Sequence, residues 1–210
     1  MLNREVSRKV RSDKKRDVQP TVTKELKDCI YRLSYITDVP VKDVAEQICI
    51  AGFCNQGVLS YLARNFRRDV RIDHVLYMGD IGRVSVNRRN LFGRSERISI
   101  RFKSNMYENL SILSYALDCS VARATSLLLD ATVRDVDFIN EFVRRYISEH
   151  MDEKRMNELK NVLKYINGRN PHEEEISWTV FLSYLMKEVK VSAEKVQDTV
   201  AEFVINHWKR

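Results

Sequence analysis

Chain breakers are scarce in this sequence, with 6 glycines and 3 prolines among 210 residues. A many-turned β-sandwich or a TIM barrel would need more of them. No apolar run approaches the roughly 18 residues of a membrane span, so no membrane partner is expected. The first residues, MLNREVSRKVRSDKKR, are charged and have no apolar stretch behind them, unlike a secretory signal. The four cysteines, Cys29, Cys49, Cys54 and Cys119, form no CxxC pair, and no histidine stands at zinc-ligand spacing. They read as buried or idle thiols in a reducing cytoplasm, with no metal and no cofactor. Also missing are GxGxxG, GxxxxGK[ST] and HExxH. The histidines, His74, His150, His172 and His207, are scattered away from any Ser, Cys or carboxylate at a recurrent catalytic spacing. His172 precedes Glu173, Glu174 and Glu175, which read more simply as a solvated acidic helix start than as a metal site. No catalytic residue is assigned, and the chain reads as a non-enzyme.

What the sequence does contain is enough to build a core: 44% apolar and 31% charged residues, which excludes disorder throughout. The length allows one large domain or two to three small ones. The net charge of +7 is unevenly spread. Residues 1–24 hold 8 Lys/Arg against 3 Asp/Glu, and residues 64–103 hold 11 against 4. The segment between them (25–63) and the remainder (104–210) are slightly acidic. Two basic blocks, each just ahead of similar helical segments, point to a polyanion partner.

Those segments repeat. RDVQPTVTKELKDCIYRLSYITDVPVKDVAEQICIAGF (16–53) aligns without a gap on ERISIRFKSNMYENLSILSYALDCSVARATSLLLDATV (96–133), at an offset of 80 residues. Val18 matches Ile98, Val22 matches Phe102, Leu26 matches Met106 and Ile30 matches Leu110. Leu33 falls on Leu113, Asp38 on Asp118, Val41 on Val121 and Ile48 on Leu128. Internal duplication is the reading. Each copy changes period midway. Ile98, Ile100 and Phe102 alternate with Arg97, Ser99, Arg101 and Lys103, a strand pattern. Met106, Leu110, Leu113 and Leu117 follow helical spacing, and after Asp118-Cys119-Ser120 a second helix begins, with Ser120 as its N-cap. In the first copy Val18, Pro20 and Val22 alternate with Asp17, Gln19 and Thr21, a helix covers about 24–37, and Pro40 fits the first turn of the next.

A strand of six or seven residues is not stable alone, and its obvious partner is the strand of the other copy. Antiparallel pairing of 16–22 with 96–102 makes a two-stranded ribbon. Its apolar face (Val18, Val22, Ile98, Ile100, Phe102) is expected to bury against four helices, leaving Asp17, Gln19, Thr21, Arg97, Ser99 and Arg101 facing solvent. A β-ribbon fits the major groove of B-DNA, where Arg reads guanine and Gln can read adenine. An ordinary edge strand with solubilising arginines is the bland alternative.

On these residues the chain resembles the ribbon-helix-helix superfamily of MetJ- and Arc-like repressors, and within it the tandem, single-chain type of the TraY-like plasmid proteins. The resemblance covers 16–53 and 96–133. It implies a tandem ribbon-helix-helix unit, which together with the helical spacing of the C-terminal third gives a mainly α fold, the tandem unit carrying an all-α C-terminal module. It implies DNA base contacts from Arg97, Ser99 and Arg101, and from Asp17, Gln19 and Thr21. It implies phosphate contacts at the second-helix N-termini, from Val41 and Lys42 and from Val121, Ala122 and Arg123, with Lys103 beside them. Asp17 and Pro20 depart from that pattern: a carboxylate facing the groove repels phosphate, and Pro20 removes a ladder donor. Lys42 and Arg123 also read as ordinary exposed helix charges.

The expected organisation is a basic arm (1–15), a first copy plus an extra helix (16–66), a basic linker (67–95), a second copy (96–149) and a helical module (150–210). Within the linker, 70–93 is either irregular or β-containing. Its arginines, Arg67, Arg68, Arg71, Arg83, Arg88, Arg89 and Arg94, would add salt-sensitive, non-specific affinity. Helical spacing continues through Val136, Ile139, Phe142 and Val143, then through Met156, Leu159, Leu163 and Ile166 up to Gly168. Further helices are expected around Trp178 and from Ser192 to Trp208. The predicted function is sequence-specific binding of double-stranded DNA, as a transcriptional repressor or a plasmid or phage accessory factor. The helical module would make a homo-oligomer or recruit a protein partner. The rival is a helical protein-interaction factor, an antitoxin or antirepressor, working through residues 150–210.

Overall fold

A computed structural model of the chain describes residues 15–88, 94–147, 152–168 and 180–181. The basic arm up to residue 14, Arg89, His150, His172, His207 and the helices expected beyond residue 168, apart from Val180 and Phe181, lie outside the described residues. The described part is mainly helical, with short two-stranded antiparallel pairings.

The two strand-forming stretches pair with each other. β1 (Arg16–Val18) and β2 (Thr21–Thr23) run antiparallel to β6 (Ile100–Phe102) and β5 (Ser95–Arg97) respectively. A single register spans both pairings: Asp17 lies opposite Arg101, Val18 opposite Ile100, and Thr21 opposite Arg97. Between them the Ile98 N–H donates to the Pro20 carbonyl (3.2 Å). This is the pairing of 16–22 with 96–102 expected from the alternation. Alternate side chains point inward, and Val18, Val22, Ile98, Ile100 and Phe102 are all buried. Each side chain of this size contributes about 1.5–3 kcal/mol when withdrawn from water. The inner face rests on α1 (Lys24–Thr37) and α2 (Val41–Cys54) of the first copy and on α4 (Ser104–Leu117) and α5 (Val121–Val133) of the second.

The 80-residue offset is repeated in three dimensions. α4 spans the residues of α1 shifted by 80, and both helices end on an aspartate in the left-handed region, Asp38 (φ 55°) and Asp118 (φ 54°). The buried positions of α2 (Val44, Ala45, Ile48, Cys49, Gly52, Phe53) recur in α5 as Ala124, Thr125, Leu128, Leu129, Thr132 and Val133. Equivalent residues also meet each other. The ribbon register sets Gln19 opposite its counterpart Ser99. Gly52 lies so close to Thr132 that a Cβ would overlap the threonine side chain. The Asn55 side-chain amide donates to the Asp135 carboxylate (3.0 Å). Self-equivalent pairs of this kind mark the trace of an approximate two-fold axis, which runs through the middle of the ribbon and down between α2 and α5.

Local capping fits these boundaries. Thr23 Oγ1 accepts from the Leu26 N–H at the start of α1, and Ser120 Oγ accepts from the Arg123 N–H at the start of α5. Pro40 occupies the N-cap of α2, one position earlier than its expected place in the first turn, because its carbonyl already accepts from Asp43 and Val44. α3 (Gln56–Ala63) is capped by Asn55, α6 (Val136–Ile147) by Asp135, and α7 (Glu153–Asn167) by Asp152.

The connector is neither loose nor wholly irregular. It forms a small hairpin, β3 (Val70–Ile72) with β4 (Val75–Tyr77), and then a 3-10 turn at Val86–Arg88. Ile72, Tyr77 and Val86 are buried, and Tyr77 meets Phe66 edge to face at 5.9 Å. α7, the first helix of the expected 150–210 module, packs along α1: Arg32 pairs with Glu158 (2.7 Å) and Arg155 pairs with Asp38 (2.6 Å).

Candidate nucleic-acid interface

The outer face of the ribbon gathers the six residues singled out as base readers. Asp17, Gln19, Arg97, Ser99 and Arg101 are exposed, and Thr21 is half-buried. The inward neighbours Val18, Val22, Ile98, Ile100 and Phe102 lie in the core, while Arg16 and Glu96 end the inward face outside it, so strand alternation divides the ribbon into a mainly packing face and a polar face. Neither the Arg97 nor the Arg101 side chain makes a hydrogen bond or ion pair to the described residues. Beside the centre the Asp17 carboxylate accepts from Ser99 Oγ (2.7 Å) and from Gln19 Nε2 (3.0 Å). These two hydrogen bonds, the Ser99 one foremost, hold the Asp17 carboxyl below the usual carboxylate range, and Arg101 opposite adds to them. Basic side chains rim this face: Lys15, Lys24, Arg94 and Lys103 are exposed, and the Arg16 guanidinium stacks over the Tyr107 ring at 4.6 Å.

The expected phosphate contacts differ among themselves. At the start of α2, Val41 is half-buried and Lys42 exposed, and Pro40 supplies no side-chain cap. The first N–H groups of a helix have no intrahelical acceptor, so the α2 N-terminus offers donors to an anion. At α5, Val121 and Ala122 are half-buried in the first turn, while Ser120 occupies the Arg123 N–H. The Arg123 guanidinium donates to the Val86 carbonyl (3.2 Å), tying α5 to the connector.

Several linker arginines expected to be salt-sensitive DNA contacts make contacts within the fold. Arg67 and Arg68 both pair with Asp118, at 2.8 and 2.5 Å, and their N–H groups donate to the Ala116 carbonyl at the end of α4. Arg83 donates to the carbonyls of Ala63 and Phe66. Arg71, Arg88 and Arg94 are exposed.

Position-by-position reading passed over a second site pattern, contained in the repeated LSYxxD sequence itself. Tyr35 and Tyr115 are equivalent and exposed on one turn, and Asp38 and Asp118 close the helix beyond them. Each Tyr–Asp pair is gripped by arginine from another segment: Arg155 of α7 on the first, and Arg68 of the connector on the second. The signal was the conserved spacing of Leu-Ser-Tyr and Asp between the two copies. Nothing in the sequence ties it to arginines 117 and 50 residues away.

Among the described residues no group of three or more His, Cys, Asp or Glu is placed to hold a metal ion, and no single helix is long and apolar enough to cross a membrane. A groove of about 810 Å³ runs between α1 and α7 and is lined by Tyr31, Tyr35, Arg32 and Glu158 among others. Comparisons with protein-family models, curated proteins and solved structures find no match to this chain.

Proposed function

We propose that the chain is a sequence-specific double-stranded DNA-binding protein of the tandem ribbon-helix-helix kind, acting without chemistry as a transcriptional regulator or a plasmid or phage accessory factor. The observation that carries this reading is the two-faced ribbon. Arg97 and Arg101 stand exposed beside Ser99 and Gln19, with no side-chain hydrogen bond or ion pair among the described residues, on a strand pair whose other face buries Val18, Val22, Ile98, Ile100 and Phe102. A two-stranded ribbon has the width of the major groove, and an exposed arginine can donate two hydrogen bonds to guanine O6 and N7. The N-termini of α2 and α5 would meet the phosphates and set the ribbon's register on the duplex. The approximate two-fold axis through Gln19 and Ser99 would coincide with a local dyad of the DNA.

Replacing both Arg97 and Arg101 with alanine tests the reading. Each lost arginine–guanine pair costs about 1–3 kcal/mol of discrimination, so selective binding should vanish while helicity and thermal stability stay unchanged. An unaltered sequence preference in the double variant would refute the proposal.

A further inference from the structure

We infer that the target is not a palindrome and that Asp17 sets its direction. This rests on the ribbon reading above and adds which base chemistry each half of the ribbon accepts. The approximate two-fold axis maps Asp17 onto Arg97, Gln19 onto Ser99, and Thr21 onto Arg101, because equivalent residues are 80 apart. None of these three pairs is chemically alike. A symmetric backbone therefore presents two unlike reading ends. One end carries Arg101 with Asp17 directly opposite, and the other carries Arg97 with Thr21 opposite.

The two ends make different demands on the groove. Arginine at either end donates to guanine. Asp17 is acceptor-only when ionised, and in the major groove a carboxylate is satisfied by the exocyclic amino group of cytosine. Against guanine O6 and N7 or thymine O4 it would face lone pairs, against adenine the N6 amino group comes with the N7 lone pair beside it, and a phosphate backbone within reach repels it. The Arg101 end thus accepts guanine with a cytosine amino group beside it and rejects alternatives by repulsion as well as by missing contacts. Thr21 can donate, accept or touch the thymine methyl, so the Arg97 end accepts guanine with a loosely defined neighbour. Ser99 and Gln19, at the ribbon centre, hold the Asp17 carboxylate at the Arg101 end through the 2.7 and 3.0 Å hydrogen bonds, so it is a fixed reading group and not a mobile surface charge.

The test is selection of duplexes from a randomised pool by the full-length protein, repeated with the Asp17→Asn, Arg101→Ala and Arg97→Ala variants. Asparagine keeps an acceptor for Ser99 while removing the charge. The wild-type motif should be asymmetric, with a fixed cytosine next to guanine in one half only. Asp17→Asn should lose roughly tenfold in preference for that cytosine while binding random DNA more tightly. Arg101→Ala should relax the same half, and Arg97→Ala the opposite half. A palindromic wild-type motif, or an Asp17→Asn variant that keeps the cytosine preference or relaxes both halves equally, would overturn the inference while leaving the ribbon reading intact. Enrichment of no motif by the wild type would overturn both. Circular dichroism of each variant separates lost recognition from lost folding.

Discussion

Asp38 and Asp118 show how one residue in one backbone conformation can carry unequal weight. Both end a helix in the left-handed region, which aspartate tolerates better than most residues. Asp118 receives two guanidiniums and keeps 28% of its side chain exposed, whereas Asp38 receives one and keeps 69%. Ion pairs that solvent reaches contribute little. Asp118→Asn should therefore cost about 1–2 kcal/mol and Asp38→Asn under about 0.5, a difference readable in paired denaturant titrations. Equal losses would mean the connector is not anchored through Asp118. The thiols divide in the same way. Burial pushes Cys29 up to about 12 and Cys119 up to about 11, and it raises Cys49 further. A thiol reagent at mildly alkaline pH should modify exposed Cys54 first, Cys119 slowly, and Cys29 and Cys49 only on unfolding. Mass spectrometry after brief labelling reads the order. On the acid side, the Lys27 ammonium hydrogen-bonded to Glu96 holds that carboxyl low, as Ser99 and Gln19 do for Asp17. A depressed carboxylate contributes above its unfolded value and is lost as pH falls through the lower folded one. The ribbon should accordingly keep its amide protection from pH 8 to 5, with only a small decrease below about 4, as hydrogen exchange would show.

Between elements, the packing of α2 on α5 depends on Gly52. A methyl there would overlap Thr132, whose Oγ1 donates to the Leu128 carbonyl in a fully buried turn. Alanine would add up to about 1 kcal/mol of helix propensity, but overpacking of a closed interface costs about 1–3 kcal/mol, so the clash should win and Gly52→Ala should lower the melting temperature. Adding Thr132→Ala should recover part of that loss, and a stabilised single variant would mean the two helices can slide apart. The same interface explains how much of the fold was legible beforehand. The repeat at an offset of 80 placed both helix pairs, and equal strands in two copies about a two-fold axis have one natural pairing, centred on Gln19 and Ser99. The candidate base readers followed from alternation, since a strand with Ile98, Ile100 and Phe102 inward must turn Arg97, Ser99 and Arg101 outward. The β3–β4 hairpin was not legible. Its strands are three residues long, and its turn uses Asp73-His74, with Asp73 at φ 52°, in place of the Asn-Gly or Asp-Gly pair that announces such turns. The recruitment of Arg67, Arg68 and Arg83 into the fold was equally hidden. Their partners lie far along the chain, and a basic linker has the same composition whether it grips a carboxylate of its own chain or a phosphate.

For the molecule as a whole, the decisive feature is that both ribbon strands belong to one chain. A ribbon assembled from two chains has no stable half, and its stability rises with concentration because association is part of folding. Here the strands are joined through residues 24–94, and the connector is fastened at Asp118, at the end of α4, and through the buried Phe66, Ile72, Tyr77 and Val86. α7 adds a clasp on the other half, with Arg155 on Asp38 and Glu158 on Arg32, so each copy is held by a segment that lies outside the repeat. Duplication within one chain also frees the two halves to diverge: α1 can be covered by α7 while α4 receives the connector, and the two ribbon strands can carry different side chains. Unfolding should therefore be independent of protein concentration, with the same melting temperature across about a hundredfold dilution. A midpoint that climbs with concentration would mean that strands are exchanged between chains in solution, and the self-contained ribbon would have to be given up. A constant midpoint would make one chain the folding unit, with the ribbon complete before it meets any partner.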